Sequence, residues 1–522
     1  MIKGNLQYGA HLSCPHRLGP PKLYRIARHR MIIEKDMRKV EEIFDGPIFP
    51  YEYGPREYQI TAYQNWTKNR YKGIFAMATG TGKTITALNC VLNEYTQSPT
   101  HTYRALILVP TITLVEQWAR EVASFHFQEV YKISSKEKWA NEITTLISTA
   151  RHIPISFILI STYTSFVKKN VQSLIHNLPK DTILIADEGH NLASPQVLRC
   201  LKGFQLEKRI GLSATPKRVY DPAGTAEMER FFQDKEPYTF AFPMEKAIKE
   251  EILCSYYYYP HIVTLTPDEL EEYAKISKRL TNLYHIAKAK KDAADAYERL
   301  LLARKRIIHK ASNKRSLALG ILQKMLAESG TLKYTLVYVP EGQVFEIKET
   351  GEETKEDNIR IIDQYTREIG KIDDKILVNQ FISGMLDRDE ILQQFQQGLI
   401  EVLVSMKCLD EGVDIPRAQT AIFCSSTGNP RQFIQRRGRI LRKHPDKPFA
   451  IIHDLVVLPE YEISSTESST HELERNLVHK ELERVMYFAS LSRNPYFTED
   501  VFAKVCSYYN LNIYLIQKEL AL

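Results

Sequence analysis

Nine short apolar runs rich in β-branched residues set the pattern of this 522-residue sequence: GIFAMA (73–78), ALILVP (105–110), SFILIS (156–161), TILIAD (182–187), RIGLSA (209–214), YTLVYV (334–339), EVLVSM (401–406), TAIFCS (420–425) and FAIIHDL (449–455). Runs this brief, and apolar on both faces, suit strands buried in a parallel sheet covered by helices. Helical patterns lie between them, such as TITALNCVLNEYT, TLVEQWAREVASF and DEILQQFQQG. Alternating strands and helices predict an α/β fold of doubly wound parallel sheets. One set of runs ends before about residue 235 and the other begins after about 330. The sequence therefore reads as two tandem α/β domains, 50–235 and 331–457, with a linker and basic helical insertion over 236–330. A helical extension follows over 458–522, and residues 1–49 form an N-terminal segment of unassigned role.

Within 236–330 the pattern turns helical at Thr266-Pro267-Asp268, where Thr266 or Asp268 can cap and Leu270, Tyr273, Ile276 and Leu280 share a face. The block continuing to about Met325 carries Lys288, Lys290, Lys291, Arg299, Arg304, Lys305, Arg306, Lys310, Lys314 and Arg315. It reads either as solvated helices or as an arm that follows phosphates. Residues 341–374 are acidic and turn-rich, which suggests an insertion or exposed hairpin. ELERNLVHKELERVMYFASL is the clearest amphipathic piece of the C-terminal extension.

Net charge is +7, from 70 Lys+Arg against 63 Asp+Glu, which permits nucleic-acid binding without requiring it. No apolar run approaches the roughly 18 residues of a membrane span, and the N-terminus lacks the apolar stretch of a secretory signal. The seven cysteines are scattered with no C-x-x-C, so the expected setting is a reducing cytoplasm. His11, Cys14 and His16 could meet a metal, but no second ligand cluster accompanies them, and the segment reads as simply polar.

The chemistry concentrates at MATGTGKT (77–84), which follows the run GIF and precedes a helical pattern. Gly80 and Gly82 let the backbone curl so that N–H groups point at a polyphosphate, with Thr79 and Thr81 beside them in the nucleotide-binding loop. The helix start adds its positive end. Lys83 supplies an ammonium for the β- and γ-phosphates, and the Thr84 hydroxyl can ligate Mg²⁺. Met77 stands where the strict pattern has glycine; the strand-loop-helix placement carries the assignment. At the end of another run, TILIADEGH offers Asp187 to hold Mg²⁺ and Glu188 as general base toward water. Adjacent carboxylates leaving a buried strand are costly without a neutralising cation.

With both motifs in hand the sequence resembles a superfamily 2 helicase or translocase, whose motifs stand here in family order over 55–442. PREYQ (55–59) is similar to the adenine-reading motif through Arg56 and Gln59. ATGTGKT resembles motif I, LVPTITLVEQW (108–118) motif Ia and ISTYTSF (160–166) motif Ib. DEGH (187–190) resembles motif II and LSATP (212–216) motif III. YTLVYV resembles motif IV, VSMKCLDEGVDIP (404–416) motif V and QRRGRILR (435–442) motif VI. The variants are most similar to motor subunits of restriction enzymes and to excision-repair helicases.

The resemblance implies two RecA-like domains with ATP and Mg²⁺ between them. It implies Arg439 and Arg442 as arginine fingers, Gln435 ordering water, and Gly412 and Asp414 beside the nucleotide. Ser213 and Thr215 would couple hydrolysis to the track, and Pro110, Thr111, Ser161, Thr162, Ser405 and Lys407 would touch nucleic-acid backbone. The partner it implies is duplex DNA, with any nuclease on a separate chain, since no nuclease carboxylate cluster stands out beyond DEGH. An RNA-stimulated remodeller and a nucleotide-switched scaffold for another protein are the competing expectations.

Overall fold

A computed structural model describes residues 46–133, 140–201, 203–217, 221–287, 291–340, 355–382, 385, 387–406, 415–425, 430–459 and 471–520. All nine apolar runs form strands. The first sheet contains β1 (Lys72–Met77), β2 (Arg104–Val109), β3 (Val130–Ile133), β4 (Phe157–Thr162), β5 (Ile183–Ala186), β6 (Lys208–Ser213) and β7 (Phe240–Phe242), in the order β3-β4-β2-β5-β6-β1-β7. The second contains β8 (Tyr256–Val263), β9 (Thr335–Tyr338), β10 (Val378–Phe381), β11 (Val402–Ser405), β12 (Thr420–Phe423) and β13 (Ala450–Val457), in the order β10-β11-β9-β12-β13-β8. Every pairing is parallel. Side chains from both faces of the inner strands fill the core, with Leu106, Ile107, Leu184, Ile185, Val337, Leu403 and Ile422 all buried. The fold is thus two doubly wound α/β domains.

The four strands that no apolar run announces, β3, β7, β8 and β10, are the four sheet edges. An edge strand meets water along one side and needs no continuous apolar run. Two of them revise the reading of 236–330 as linker and insertion. β7 pairs with β1, closing the first sheet, and β8 runs the full length of β13, from Tyr256 opposite Ala450 to Val263 opposite Val457. The crossing between sheets is therefore confined to residues 243–255.

The expected hairpin at 341–374 is also corrected. Residues Lys355–Gly370 form a helix that buries Ile361, Ile362, Tyr365 and Ile369 against the second sheet; 341–354 lie outside the described residues. Of the two proposed caps near 266, Thr266 acts: its Oγ1 accepts from Glu269 N (3.4 Å) while Glu269 Oε2 accepts from Thr266 N (3.0 Å). Helices Pro267–Ala287 and Lys291–Lys310 form a hairpin zipped by Tyr273, Ile276, Leu280 and Ile307. The basic block divides here. Arg304 is buried over the Tyr273 ring, and Lys314 is buried, donating to the carbonyls of Ile308 and His309 at the end of the second helix. Arg299, Lys305 and Arg306 stay exposed.

The C-terminal helices His471–Ser490, Phe497–Tyr508 and Ile513–Leu520 pack against the second sheet. Arg484 pairs with the buried Asp454 of β13, which also accepts from Tyr258 Oη (2.7 Å). Among the described residues no helix is long and apolar enough to cross a membrane.

Candidate active site

β1 ends at Met77, and the chain turns through Gly80 (φ 87°) and Gly82 (φ 78°) into the helix Lys83–Gln97. Both positions lie in the left-handed region that side chains resist. Tyr58 Oη donates to Thr81 O (2.7 Å), and its ring stacks on Phe242 of β7 (4.3 Å), so the preceding helix Glu57–Lys68 steadies the loop. Gln59 is buried: its Oε1 accepts from Arg56 N (2.9 Å), and its Nε2 lies 3.5 Å from Thr86 Oγ1. The Arg56 guanidinium lies over the exposed Tyr53 ring.

β5 delivers the two carboxylates. Asp187 Oδ2 accepts from Trp118 Nε1 (2.9 Å), Oδ1 accepts from Glu188 N (3.0 Å), and its carbonyl accepts from Tyr163 Oη (2.8 Å). Burial, then the Glu188 charge, push the Asp187 carboxyl up to about 6, against the opposing pull of Lys83 and Trp118. Glu188 adopts φ 46°, ψ 56°, a strained setting for a side-chain-bearing residue. Asn191 holds it there, donating to Glu188 O from both N (2.9 Å) and Nδ2 (3.0 Å). Glu188 Oε1 lies 3.7 Å from Lys83 Nζ; Oε2 is buried, accepts no hydrogen bond from the described residues and sits 3.4 Å from His190 Nδ1.

The other wall comes from the second sheet. Gln435, Arg439 and Arg442, on and just past the helix Pro430–Ile440, line one cavity of about 660 Å³ together with Thr79 through Thr84, Asp187, Glu188 and Arg56. That volume suits a nucleotide. At its floor the two domains touch. A Cβ built on Gly438 would lie 2.5 Å from Thr79 Cβ, and one on Gly80 would lie 2.9 Å from Gly438 O. Leu253 pairs with Arg442, and Cys254 N donates to Leu441 O (2.8 Å), so the inter-sheet crossing is pinned to the same spot.

Gly438→Ala isolates this contact. Gly438 is buried at this contact, so alanine's gain of roughly 0.5–1 kcal/mol in helix propensity is set against the clash with Thr79, and the variant's melting temperature should change little if the two walls simply part. Its methyl group should hold the walls apart and slow ATP turnover by about tenfold or more. Melting and steady-state turnover measured together check this; unchanged turnover would deny that the walls close here.

QRRGRILR divides sharply. Arg436 and Arg437 are buried in the second domain, the former donating to Ser425 Oγ (2.6 Å), while Arg439 and Arg442 face the cavity. Of the six residues expected on the nucleic-acid path, the five described ones do not share one surface. Pro110 lines the same cavity, and Thr111 Oγ1 caps the helix Ile112–Ser124 by accepting from Leu114 N. Ser161, Thr162 and Ser405 are corrections. All three are buried: Ser161 Oγ donates to Thr162 O, Thr162 Oγ1 accepts from Ser165 N, and Ser405 Oγ donates to Phe381 O. Their hydroxyls are occupied inside the protein, because each sits at the C-terminal end of a buried strand. Ser213 is buried and accepts from Thr215 N (3.1 Å). Lys407, Gly412 and Asp414 lie outside the described residues.

Tyr58, Trp118, Tyr163, His190 and Gly438 belong to the site although sequence reasoning assigned them no role. All five lie inside the motifs already recognised, which was the available signal.

Two family models match the chain: "Type III restriction enzyme, res subunit" over residues 52–218 and "Helicase conserved C-terminal domain" over 346–444. A DNA 3'-5' translocase XPB2 of Sulfurisphaera tokodaii is 27% identical over 428 residues, spanning 80% of this chain and 86% of that protein. A DNA 3'-5' helicase XPB of Mycobacterium tuberculosis is 22% identical over 431 residues, spanning 79% of this chain and 63% of that one. The fold matches the ATP-dependent Type ISP restriction-modification enzyme LlaBIII bound to DNA, with a TM-score of 0.56 and 17% identity. That match covers 89% of this chain and 33% of the enzyme.

Proposed function

We propose that this chain, a superfamily 2 helicase-type ATPase, is a motor that couples ATP hydrolysis to movement along duplex DNA. The observation that carries this reading is the single cavity in which a phosphate loop from one sheet meets Arg439 and Arg442 from the other. Groups from two bodies around one nucleotide make the spacing of those bodies depend on its chemical state. The relatives named as DNA translocase and helicase favour DNA as the track.

In this reading the loop amides and Lys83 hold the phosphates, and Tyr53 and Arg56 stand at the base end of the cavity. The donor set fits Mg²⁺: Thr84 and Asp187 would hold it, and a cation there would offset the burial that pushes the Asp187 carboxyl up. The ion supplies charge neutralisation along the triphosphate. Glu188, whose Oε2 accepts no hydrogen bond from the described residues, takes the proton of the attacking water, and Gln435 orients that water. Arg439 and Arg442 meet the negative charge that gathers on the transferring phosphoryl group. Ser213 and Thr215 relay closure to the track. Thr111, at the start of the helix Ile112–Ser124, grips a DNA phosphate, a contact that carries no sequence information. The reading extends to work in restriction, anti-phage defence or repair, in the cytoplasm, with any nuclease on a separate chain; the res-subunit match favours restriction, and the relatives named XPB favour repair.

The exposed Arg299, Lys305 and Arg306 of the helical hairpin are proposed to follow phosphates. Changing all three to glutamine should flatten the slope of log affinity against log salt by about 2 to 3, because each phosphate left unneutralised lowers it by roughly 0.9. The buried Arg304 is left alone because it packs on Tyr273. An unchanged slope would make these residues solvated surface only.

The test of function compares ATP turnover stimulated by matched DNA and RNA duplexes at one salt concentration, then triplex displacement beside fork unwinding. DNA stimulation with triplex displacement supports the motor. Stimulation by RNA alone would favour a ribonucleoprotein remodeller, and full biological activity in Glu188→Gln would favour a nucleotide-switched scaffold.

A further inference from the structure

The finger helix Pro430–Ile440 carries an arginine that never reaches the cavity. Arg437 is fully buried, and among the described residues no carboxylate pairs with it. Its guanidinium faces three aromatic rings instead: Phe488 at 3.9 Å, Tyr487 at 5.0 Å and Tyr256 at 5.8 Å. Nη1 donates to Tyr256 Oη (3.2 Å), and that hydroxyl donates onward to Phe488 O (2.6 Å). Burial pushes the Tyr256 phenol up to about 12, so it keeps the proton this bond needs. Nε and Nη2 have no hydrogen-bond partner among the described residues.

A buried cation held only by ring faces and one hydroxyl is an expensive way to fill space, since an apolar side chain would pack there at lower cost. What the arrangement supplies is direction. Ring faces attract a cation within a narrow zone above their planes, and three of them from two elements fix where the guanidinium sits. Tyr256 begins β8, while Tyr487 and Phe488 lie on the C-terminal helix His471–Ser490. That helix is itself anchored one turn earlier, where Arg484 pairs with the buried Asp454. Arg437 and Arg439 are two residues apart on one helix, so fixing the first fixes the rotation that aims the second.

We propose that the cage of Tyr256, Tyr487 and Phe488 around Arg437 is a positioning device for the arginine finger, which makes the C-terminal helix a working part of the ATPase. This rests on the reading of Arg439 as a finger. Arg437 and Phe488 are positioning residues; neither meets the nucleotide.

The test uses the full chain and four variants, reading kcat and KM for ATP at saturating duplex DNA together with thermal melting. Phe488→Leu keeps an apolar side chain and removes the ring face; kcat should fall about tenfold with KM changed less than about twofold. Phe488→Tyr restores the face and should stay within about twofold of the parent. Arg437→Met removes the buried charge, so it should melt at or above the parent temperature and still lose turnover. That separation of stability from kcat is what a merely structural role does not produce. Full turnover in Arg437→Met, or equal losses in Phe488→Leu and Phe488→Tyr, would overturn the proposal. Arg439→Ala is the fourth variant: if it keeps full turnover, the finger assignment fails and the cage falls with it, whereas a loss in Arg439→Ala alone rejects only the cage.

Discussion

Lys83→Ala should abolish ATP hydrolysis, with turnover falling by about a thousandfold or more. Two effects combine. The variant loses the ammonium that meets the phosphates in a cleft where such interactions carry several kcal/mol, on the order of 3–4. It also strips the cation that faces Glu188 at 3.7 Å and that opposes the rise of the Asp187 carboxyl. With Lys83 gone, Asp187 climbs further above its present value near 6 and holds its proton to higher pH. Nucleotide affinity in the variant should therefore weaken as pH falls toward neutrality, more steeply than in the parent. Equilibrium binding of ATP across that range, beside steady-state turnover, checks both halves. A variant that hydrolyses ATP at even a tenth of the parent rate would remove Lys83 from the site.

Arg439→Ala should lower turnover by roughly a hundred- to a thousandfold while ATP binding moves less than about threefold. A finger acts where charge accumulates, and that charge is greatest in the transition state. The expected loss is kept below the upper range for arginine fingers because Arg442 shares the cavity. Arg436→Ala makes the useful contrast. That residue is buried against Ser425 and Tyr338, so its loss should appear first as a lower melting temperature. If Arg439→Ala weakened ATP binding and turnover equally, the residue would be a ground-state contact and not a finger.

How much of this was legible in the sequence follows a physical line. Inner strands announce themselves because both faces are buried; β3, β7, β8 and β10 do not, because one side of each meets water or a loop. YYYYPHIV shows the consequence: alternate burial along β8 hides a strand inside what reads as a linker. The phosphate loop, DEGH and the two cavity arginines were readable from residue type and order. The division of labour within QRRGRILR was not, because four arginines look alike until β8 and the C-terminal helix are folded around Arg437, and Tyr338 and Ser425 around Arg436. The same limit applies to Ser161, Thr162 and Ser405. A hydroxyl after a strand can face a ligand or cap its own turn, and only the backbone decides which.

Binding of ADP with aluminium fluoride, which mimics the transferring phosphoryl group, tests the shared cleft most directly. Arg439→Ala should lose affinity for that complex by about a hundredfold or more, yet hold ATP within about threefold, because the second domain's wall engages only the charge of the reacting phosphoryl group. Equal affinity of parent and variant for the mimic would mean that Arg439 does not meet the reacting phosphoryl group, and the finger on which the two-walled site depends would be wrong.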